Sequence, residues 1–391
     1  MKQLIFLYVL LVLFEGALRK WFLPFLATPL LVVRDPLAIL IIFNYLAKGG
    51  RIMNAFTLPV FGLSILAFLF TLALGHGNLF VDVYGVRILL LHFPLVFILG
   101  DILNKSEVEK MGRWLIYLLP PITLLVILQF YSPQSAWVNR GVGGDISGAG
   151  FAGAMGYARP SGIFSFTNGN RLYYSLTVPF VLYFWGQREK ISTLALLAGT
   201  VCILLAIPFS ISRAYFLQVA LSIVFFILAS LRSGRSVKML FMASVLAVVS
   251  FLVLSQLSFV RTGMEVLTTR FSVAEASEGS IHNTIGERFF GGMARAISSA
   301  ADVPLWGYGL GLGPNVGSGI LTGSRGFLLA ENEWGRIVGE MGLLFGIPII
   351  LIRLLLAAKI AIKGIQALFK GNSLPFLLLS FSLQIVIIGG W

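Results

Sequence analysis

Residues 55–74 read AFTLPVFGLSILAFLFTLAL, twenty positions without one charged side chain. At about 1.5 Å rise per residue such a helix is about 30 Å long, the thickness of a bilayer's hydrocarbon core. Stretches of this kind recur from one end of the chain to the other. The sequence predicts spans at 4–18, 30–47, 55–74, 79–100, 114–130, 172–185, 191–209, 215–231, 239–259, 337–358 and 374–391. Over all 391 residues, 58% are apolar and only 12% are charged, and the mean hydropathy is +0.92. A soluble domain carries about twice that charge. A soluble enzyme, a disordered chain and a secreted disulfide scaffold are excluded. The single cysteine, Cys202, lies in an apolar run and reads as a small core hydrophobe.

The net charge of +13 would suggest nucleic acid in a soluble protein. Here its distribution points to membrane orientation instead. Lys48 and Arg51 follow the second span, Lys105, Lys110 and Arg113 the fourth, and Arg188 and Lys190 the sixth. Arg232, Arg235 and Lys238 follow the eighth, and Lys359, Lys363 and Lys370 the tenth. The opposite short loops hold only Arg19, Lys20 and Arg213. Because lysine and arginine concentrate in cytoplasmic loops, the N-terminus and the loops after even-numbered spans are expected inside. The first span starts at Met1, lacks an Ala-x-Ala site, and reads as a retained helix. The chain ends at Trp391 without a polar tail, so a twelfth helix is expected beyond it. The expected fold is an all-α polytopic membrane protein of about eleven transmembrane helices, one transmembrane domain over 1–391.

Two long connections, 131–171 and 260–336, fall on the expected outer side. The first has seven glycines between 141 and 156 and reads as flexible. The second mixes polar and apolar residues and reads as an external subdomain of short helices. Lysine, with the exception of Lys20, stays at the cytoplasmic edge. The outer loops carry Arg140, Arg159, Arg171, Arg213, Arg261, Arg270, Arg288, Arg295, Arg325 and Arg336. A guanidinium stays charged and grips phosphate through two parallel donors. An arginine-rich surface above an apolar bundle therefore suits an anionic lipid head group, although surface pairing with Glu265, Glu275, Glu278, Glu287 or Asp302 would use some of these arginines. Inside the spans, Arg87 is expected to pair with Asp82 or to line a cavity, and His92 reads as a packed, hydrogen-bonded residue.

No phosphate-binding glycine loop of the Gly-x-x-x-x-Gly-Lys type is present, and no cluster of Cys and His has metal-ligand spacing. No metal and no cofactor are expected. The end of the second long connection reads Ala330-Glu-Asn-Glu-Trp-Gly-Arg-Ile-Val-Gly-Glu-Met-Gly342. On a helix, Glu333 and Arg336 share a face, as do Arg336 and Glu340. A carboxylate beside arginines at a membrane boundary is the arrangement a general base for a hydroxyl needs. Trp137, Trp306 and Trp334 are candidates for stacking on sugar rings or for an interfacial belt.

This stretch resembles the family of O-antigen ligases and polymerases, whose outer motif reads His-Asn-x-aromatic followed by Glu-x-Gly on the next helix. In register, Asn332, Trp334, Glu340 and Gly342 match it, with Glu331 in place of the ligase branch's His. Arg288 and the segment from Asp302 to Gly311, Asp-Val-Pro-Leu-Trp-Gly-Tyr-Gly-Leu-Gly, look like the family's Arg and Asp-x-Pro-aromatic-Gly-x-Gly. Arg159-Pro-Ser-Gly-Ile-Phe164 with Asn168 and Asn170, and Ser212-Arg213, look like two further motifs. The resemblance covers roughly 159–345. It implies a GT-C-like fold and glycosyl transfer at the outer face of a bacterial inner membrane. The donor would be a glycan on undecaprenyl pyrophosphate, and the reaction would need no metal. Partners would be that glycolipid, membrane lipid and a chain-length regulator, with no nucleic acid. It implies catalytic roles for Glu331 or Glu333 with Arg288 and Arg213. Substrate contacts would come from Arg159, Asn168, Asn170, Asn332, Trp334, Arg336 and Glu340. Polymerisation of repeat units is the leading expectation. Transfer of a finished glycan to a lipid or protein acceptor is the alternative, and flipping of lipid-linked sugars is the reading from a different class.

Overall fold

A computed structural model describes residues 1–231, 256–278, 291–298, 303–313, 315–323, 329 and 332–389. Its helices, in chain order, are α1 (Lys2–Ala17), α2 (Arg34–Ala47), α3 (Thr57–Leu74), α4 (Leu79–Arg87), α5 (Phe93–Ile102), α6 (Lys105–Tyr131), α7 (Thr167–Trp185), α8 (Thr193–Phe209) and α9 (Arg213–Leu231). There follow α10 (Ser258–Glu278), α11 (Gly292–Ser298), α12 (Asn315–Thr322), α13 (Glu333–Met341), α14 (Ile347–Phe369) and α15 (Ser373–Ile388). Ten of the eleven apolar stretches coincide with helices, and most of the ninth lies outside the described residues. Among the described residues, six helical stretches are long and apolar enough to cross a membrane. They are Pro29–Ala47, Thr57–Leu74, Leu79–Ile102, Lys105–Tyr131, Arg213–Leu231 and Glu333–Phe369. Large apolar side chains such as Leu58, Leu69, Leu124 and Leu355 are exposed on the flanks of the bundle. Water would penalise such a surface, whereas hydrocarbon accepts it.

Local chemistry explains the helix ends. Asn104 and Glu107 form a reciprocal capping box at the start of α6. Asn78 accepts from the backbone N–H groups of Phe80 and Val81 and starts α4. Two of the long spans contain a π-turn, at Ile88–His92 and at Gly342–Gly346. The first places Arg87 and His92, five residues apart, on one carboxylate, that of Asp35. Arg87 therefore pairs with Asp35 at 2.7 Å, not with Asp82. Asp82 is fully buried, and both of its carboxylate oxygens lack a hydrogen-bond partner among the described residues. His92 is hydrogen-bonded as expected, to Asp35 and to Tyr8 at 3.0 Å each. Arg34 reaches Glu15 of α1 at 2.9 Å.

Two apolar cores hold most of the bundle. One joins α6, α7, α8, α9 and α15 around Tyr174, Phe184, Phe209 and Tyr215. The other joins α3, α4, α5, α13 and α14 around Val60, Leu310, Ile337 and Ile349. A smaller cluster seats α1 and α2 against α5.

The first long connection is not the open glycine-rich loop that its composition suggests. It contains a hairpin of β1 (Phe151–Ala154) and β2 (Tyr157–Arg159), the one pair of strands among the described residues. Met155 and Gly156 both have positive φ, as a two-residue hairpin turn requires. Asn139 donates to the carbonyls of Gln129, Ser132 and Pro133 and holds the preceding segment down. The second connection does contain short helices, and α10 packs on both α8 and β1. Arg270 of α10 donates to the carbonyls of Ala152 and Gly153, so the two long connections meet.

Candidate functional site

Where the two connections meet the ends of α7, α9 and α13, they enclose a cavity of about 600 Å³. Five arginines line it: Arg159 from β2, Arg171 from α7, Arg213 from α9, Arg270 from α10 and Arg336 from α13. Among the described residues, Glu333 is its one acidic lining residue. At an effective dielectric of about 20, each unit charge 4 Å away contributes about 4 kcal/mol of attraction to an anion. Among the described residues, guanidiniums outnumber carboxylates five to one on the cavity wall.

Four of the five arginines are positioned by identifiable contacts, those of Arg270 being its two bonds to the hairpin. Arg159 Nε donates to the Ala152 carbonyl across the hairpin at 3.2 Å. The turn at 159–164 that follows is clamped from three sides. Lys20, just past α1, is buried and donates to Ser161 Oγ at 2.9 Å and the Gly162 carbonyl at 2.6 Å. Burial pushes its ammonium down to about 7. Gln129 accepts from Gly162 N–H and donates back to its carbonyl. Asn170 donates to the Pro160 carbonyl at 3.2 Å. Arg171 Nε donates to Asn168 Oδ1 at 2.9 Å, one turn earlier on α7.

Arg336 is the most tightly fixed. Its Nε and Nη2 donate to the two oxygens of Glu333 at 2.9 and 2.7 Å, and Nη1 donates to Glu340 at 3.1 Å. The i,i+3 and i,i+4 pairs expected from the sequence are both formed. Arg353, deep in α14, adds a donor to Glu333 Oε1 at 2.9 Å and another to the Val386 carbonyl at 3.1 Å. Asn332 caps α13 by accepting from Gly335 N–H at 2.7 Å. The alternating glycines at 307–313 allow a backbone strap to lie along α13. Tyr308 N–H donates to the Gly339 carbonyl, Gly309 N–H to that of Glu340, and Gly313 N–H to Glu340 Oε1. A side chain at Gly307, with φ of +85°, would place its Cβ 2.2 Å from the Glu340 carbonyl oxygen. Behind the Glu333–Arg336 pair lies a narrow apolar void of about 40 Å³.

Of the residues expected from the sequence, Arg159, Asn168, Arg213, Asn332, Glu333 and Arg336 line the one cavity. Three do not. Asn170 is buried and secures the 159–164 turn. Glu340 is buried beneath Arg336 and orients it. Trp334 is buried with its indole N–H on the Ile387 carbonyl at 2.6 Å, so it offers no face to a sugar. Trp137 packs against Trp21, and Trp306 lies against the α13 core. Glu331 and Arg288 lie outside the described residues. Sequence reasoning counted Arg171 and Arg270 among the outer arginines without assigning them to the site. It missed Phe151 and Phe166, which also line the cavity, and the anchoring role of Arg353. Comparison with protein-family models, curated proteins and solved structures finds no match to this chain.

Proposed function

We propose that the chain is a membrane glycosyltransferase that polymerises lipid-linked oligosaccharide repeat units. The observation that carries this reading is the convergence of five arginines from five separate elements on one cavity, with the charge of the one carboxylate that lines it among the described residues committed to Arg336 and Arg353. In this reading the cavity faces the outer side of the membrane. The diphosphate of a polyprenyl-linked glycan lies among the guanidiniums. An acceptor hydroxyl attacks the anomeric carbon, its proton passes to a base, and the polyprenyl diphosphate leaves with the bonding pair. Negative charge then grows on the bridging oxygen. Guanidiniums already aimed at that oxygen lower the barrier without reorganising.

Roles follow from how each side chain is held. Arg159, Arg171, Arg213 and Arg270 clamp the diphosphate from the hairpin, α7, α9 and α10. Arg336, immobilised by two carboxylates, supplies a fixed positive wall. Glu333 serves as the counter-charge that orients Arg336, which leaves Glu331, standing where the ligase branch has His, to act as the base. Asn168 holds Arg171.

The test combines cells and side chains. Cells lacking the gene should accumulate single repeat units on the polyprenyl carrier, at the outer face. Long chains still on the carrier would instead mean ligation, and units retained at the cytoplasmic face would mean flipping. Arg213→Ala and Arg159→Ala should each lose about 10- to 100-fold in glycan assembly while the protein still inserts, because one charge-assisted contact contributes about 1.5–3 kcal/mol. Lysine at either position should not restore the two-donor grip. Wild-type product in both alanine variants would remove the diphosphate clamp.

A further inference from the structure

Two aromatic rings line the cavity beside its five guanidiniums. Phe151 of β1 and Phe166, the residue before α7, are 48% and 46% exposed, and both face the arginine cavity. They meet edge to face, with ring centroids 5.7 Å apart at 71°. The Arg159 guanidinium lies 4.7 Å from the Phe151 ring centre. Their backbones are fixed. Phe151 is paired with Arg159 in the hairpin, and the Phe166 carbonyl accepts from Gly169 N–H in the first turn of α7. With only two side-chain torsions each, such rings lose little entropy on binding.

The diphosphate alone has no use for these rings, and an isoprenoid chain packed on them would press against the Arg159 guanidinium 4.7 Å from the Phe151 ring centre. A pyranose ring meets both demands. Its axial C–H groups carry slight positive charge and pack on the electron-rich face of an aromatic ring. Its hydroxyl rim accepts hydrogen bonds from a flanking guanidinium. In a glycosyl diphosphate the first sugar is joined directly to the phosphate, so a sugar wall must adjoin the anion site, as Phe151 adjoins Arg159.

We infer that Phe151 and Phe166 form the sugar-recognition wall of the cavity, stacking on the pyranose attached to the donor's diphosphate. This rests on the reading of the cavity as a diphosphate site. It replaces the tryptophans 137, 306 and 334 as the stacking residues.

Two soluble probes separate the wall from the clamp: farnesyl diphosphate, and farnesyl diphosphate carrying one N-acetylglucosamine. Both are titrated against the detergent-purified full chain. The wild type should bind the sugar-bearing probe about five- to tenfold tighter, as one aromatic contact of about 1–1.4 kcal/mol implies. The double variant F151A/F166A should lose that advantage while binding farnesyl diphosphate as the wild type does. Phe151→Trp should keep the advantage. The inference is overturned if the wild type shows no preference, if the preference survives in the double variant, or if both probes weaken equally there, which is the signature of an interfacial anchor or a folding role. Failure of the wild type to bind farnesyl diphosphate would bring down the diphosphate reading itself, and the sugar wall with it.

Discussion

Glu333→Gln asks whether this carboxylate is an electrostatic anchor or a base. The substitution keeps shape and removes charge. Oε1 accepts from Arg336 at 2.7 Å and Arg353 at 2.9 Å, and Oε2 accepts from Arg336 at 2.9 Å. An amide retains one acceptor and turns an NH2 group toward a guanidinium. Two largely buried cations then lose a shared counter-charge. Breaking a buried pair costs about 3–5 kcal/mol when one partner is left alone. Arg336 retains Glu340, and Arg353 retains the Val386 carbonyl, so the expected loss lies near the lower end, about 3 kcal/mol. Thermal denaturation in detergent micelles, followed by tryptophan emission, reads it. The midpoint should fall clearly for E333Q and for R353M, and the double variant should fall by less than the sum of the two, because both remove the same contact. An E333Q protein with wild-type stability that loses only turnover would refute the reasoning and restore Glu333 as the base.

Two further outcomes follow from positions beside the cavity. Lys20 releases its proton near pH 7 when folded, whereas the unfolded chain keeps it to about 10.4. Between these values the unfolded state binds more protons, so stability should rise with pH, and below pH 7 the full penalty of the buried charge remains. Lys20→Met should flatten that rise, seen as melting midpoints at pH 6 and pH 9 that differ less than in the wild type. An unchanged slope would contradict the burial. Gly307→Ala combines a positive φ with a Cβ 2.2 Å from the Glu340 carbonyl oxygen. It should destabilise by more than about 2 kcal/mol in the same melt, and a neutral effect would mean that the strap does not lie against α13.

The helices and the pairing along α13 were legible because both are local. Hydrophobic runs reveal helices, and spacing of three and four brings Glu333, Arg336 and Glu340 together. The arginines of the two long connections and their margins, noted in the sequence, include the five that line the cavity. What the sequence concealed depends on partners far apart in the chain. Asp35 lies 52 positions from Arg87 and takes it from the nearer Asp82. Asn170 fits a functional motif, yet its amide is needed by the Pro160 carbonyl ten residues back. Trp334 fits a different motif, that of 331–342, yet α15 offers its indole a carbonyl. The stacking wall was invisible because phenylalanines in an apolar sequence carry no contrast. Only the hairpin, within a connection that its glycines mark as flexible, and the turn into α7 bring Phe151 and Phe166 to the arginines.

The end of α15 has a consequence for how the cavity can open. The last carbonyls of a helix carry the negative end of its dipole, and here those of Val386 and Ile387 are taken by Arg353 and Trp334. The C-terminal pole of α15 is thereby clasped by α13 and α14, and the three helices form one electrostatically latched block. Sliding within that block would expose a buried guanidinium, so it serves as the stator. Within the proposed function, movement that admits a glycolipid is therefore expected on the opposite wall, where Arg270 and Thr269 of α10 hold the hairpin.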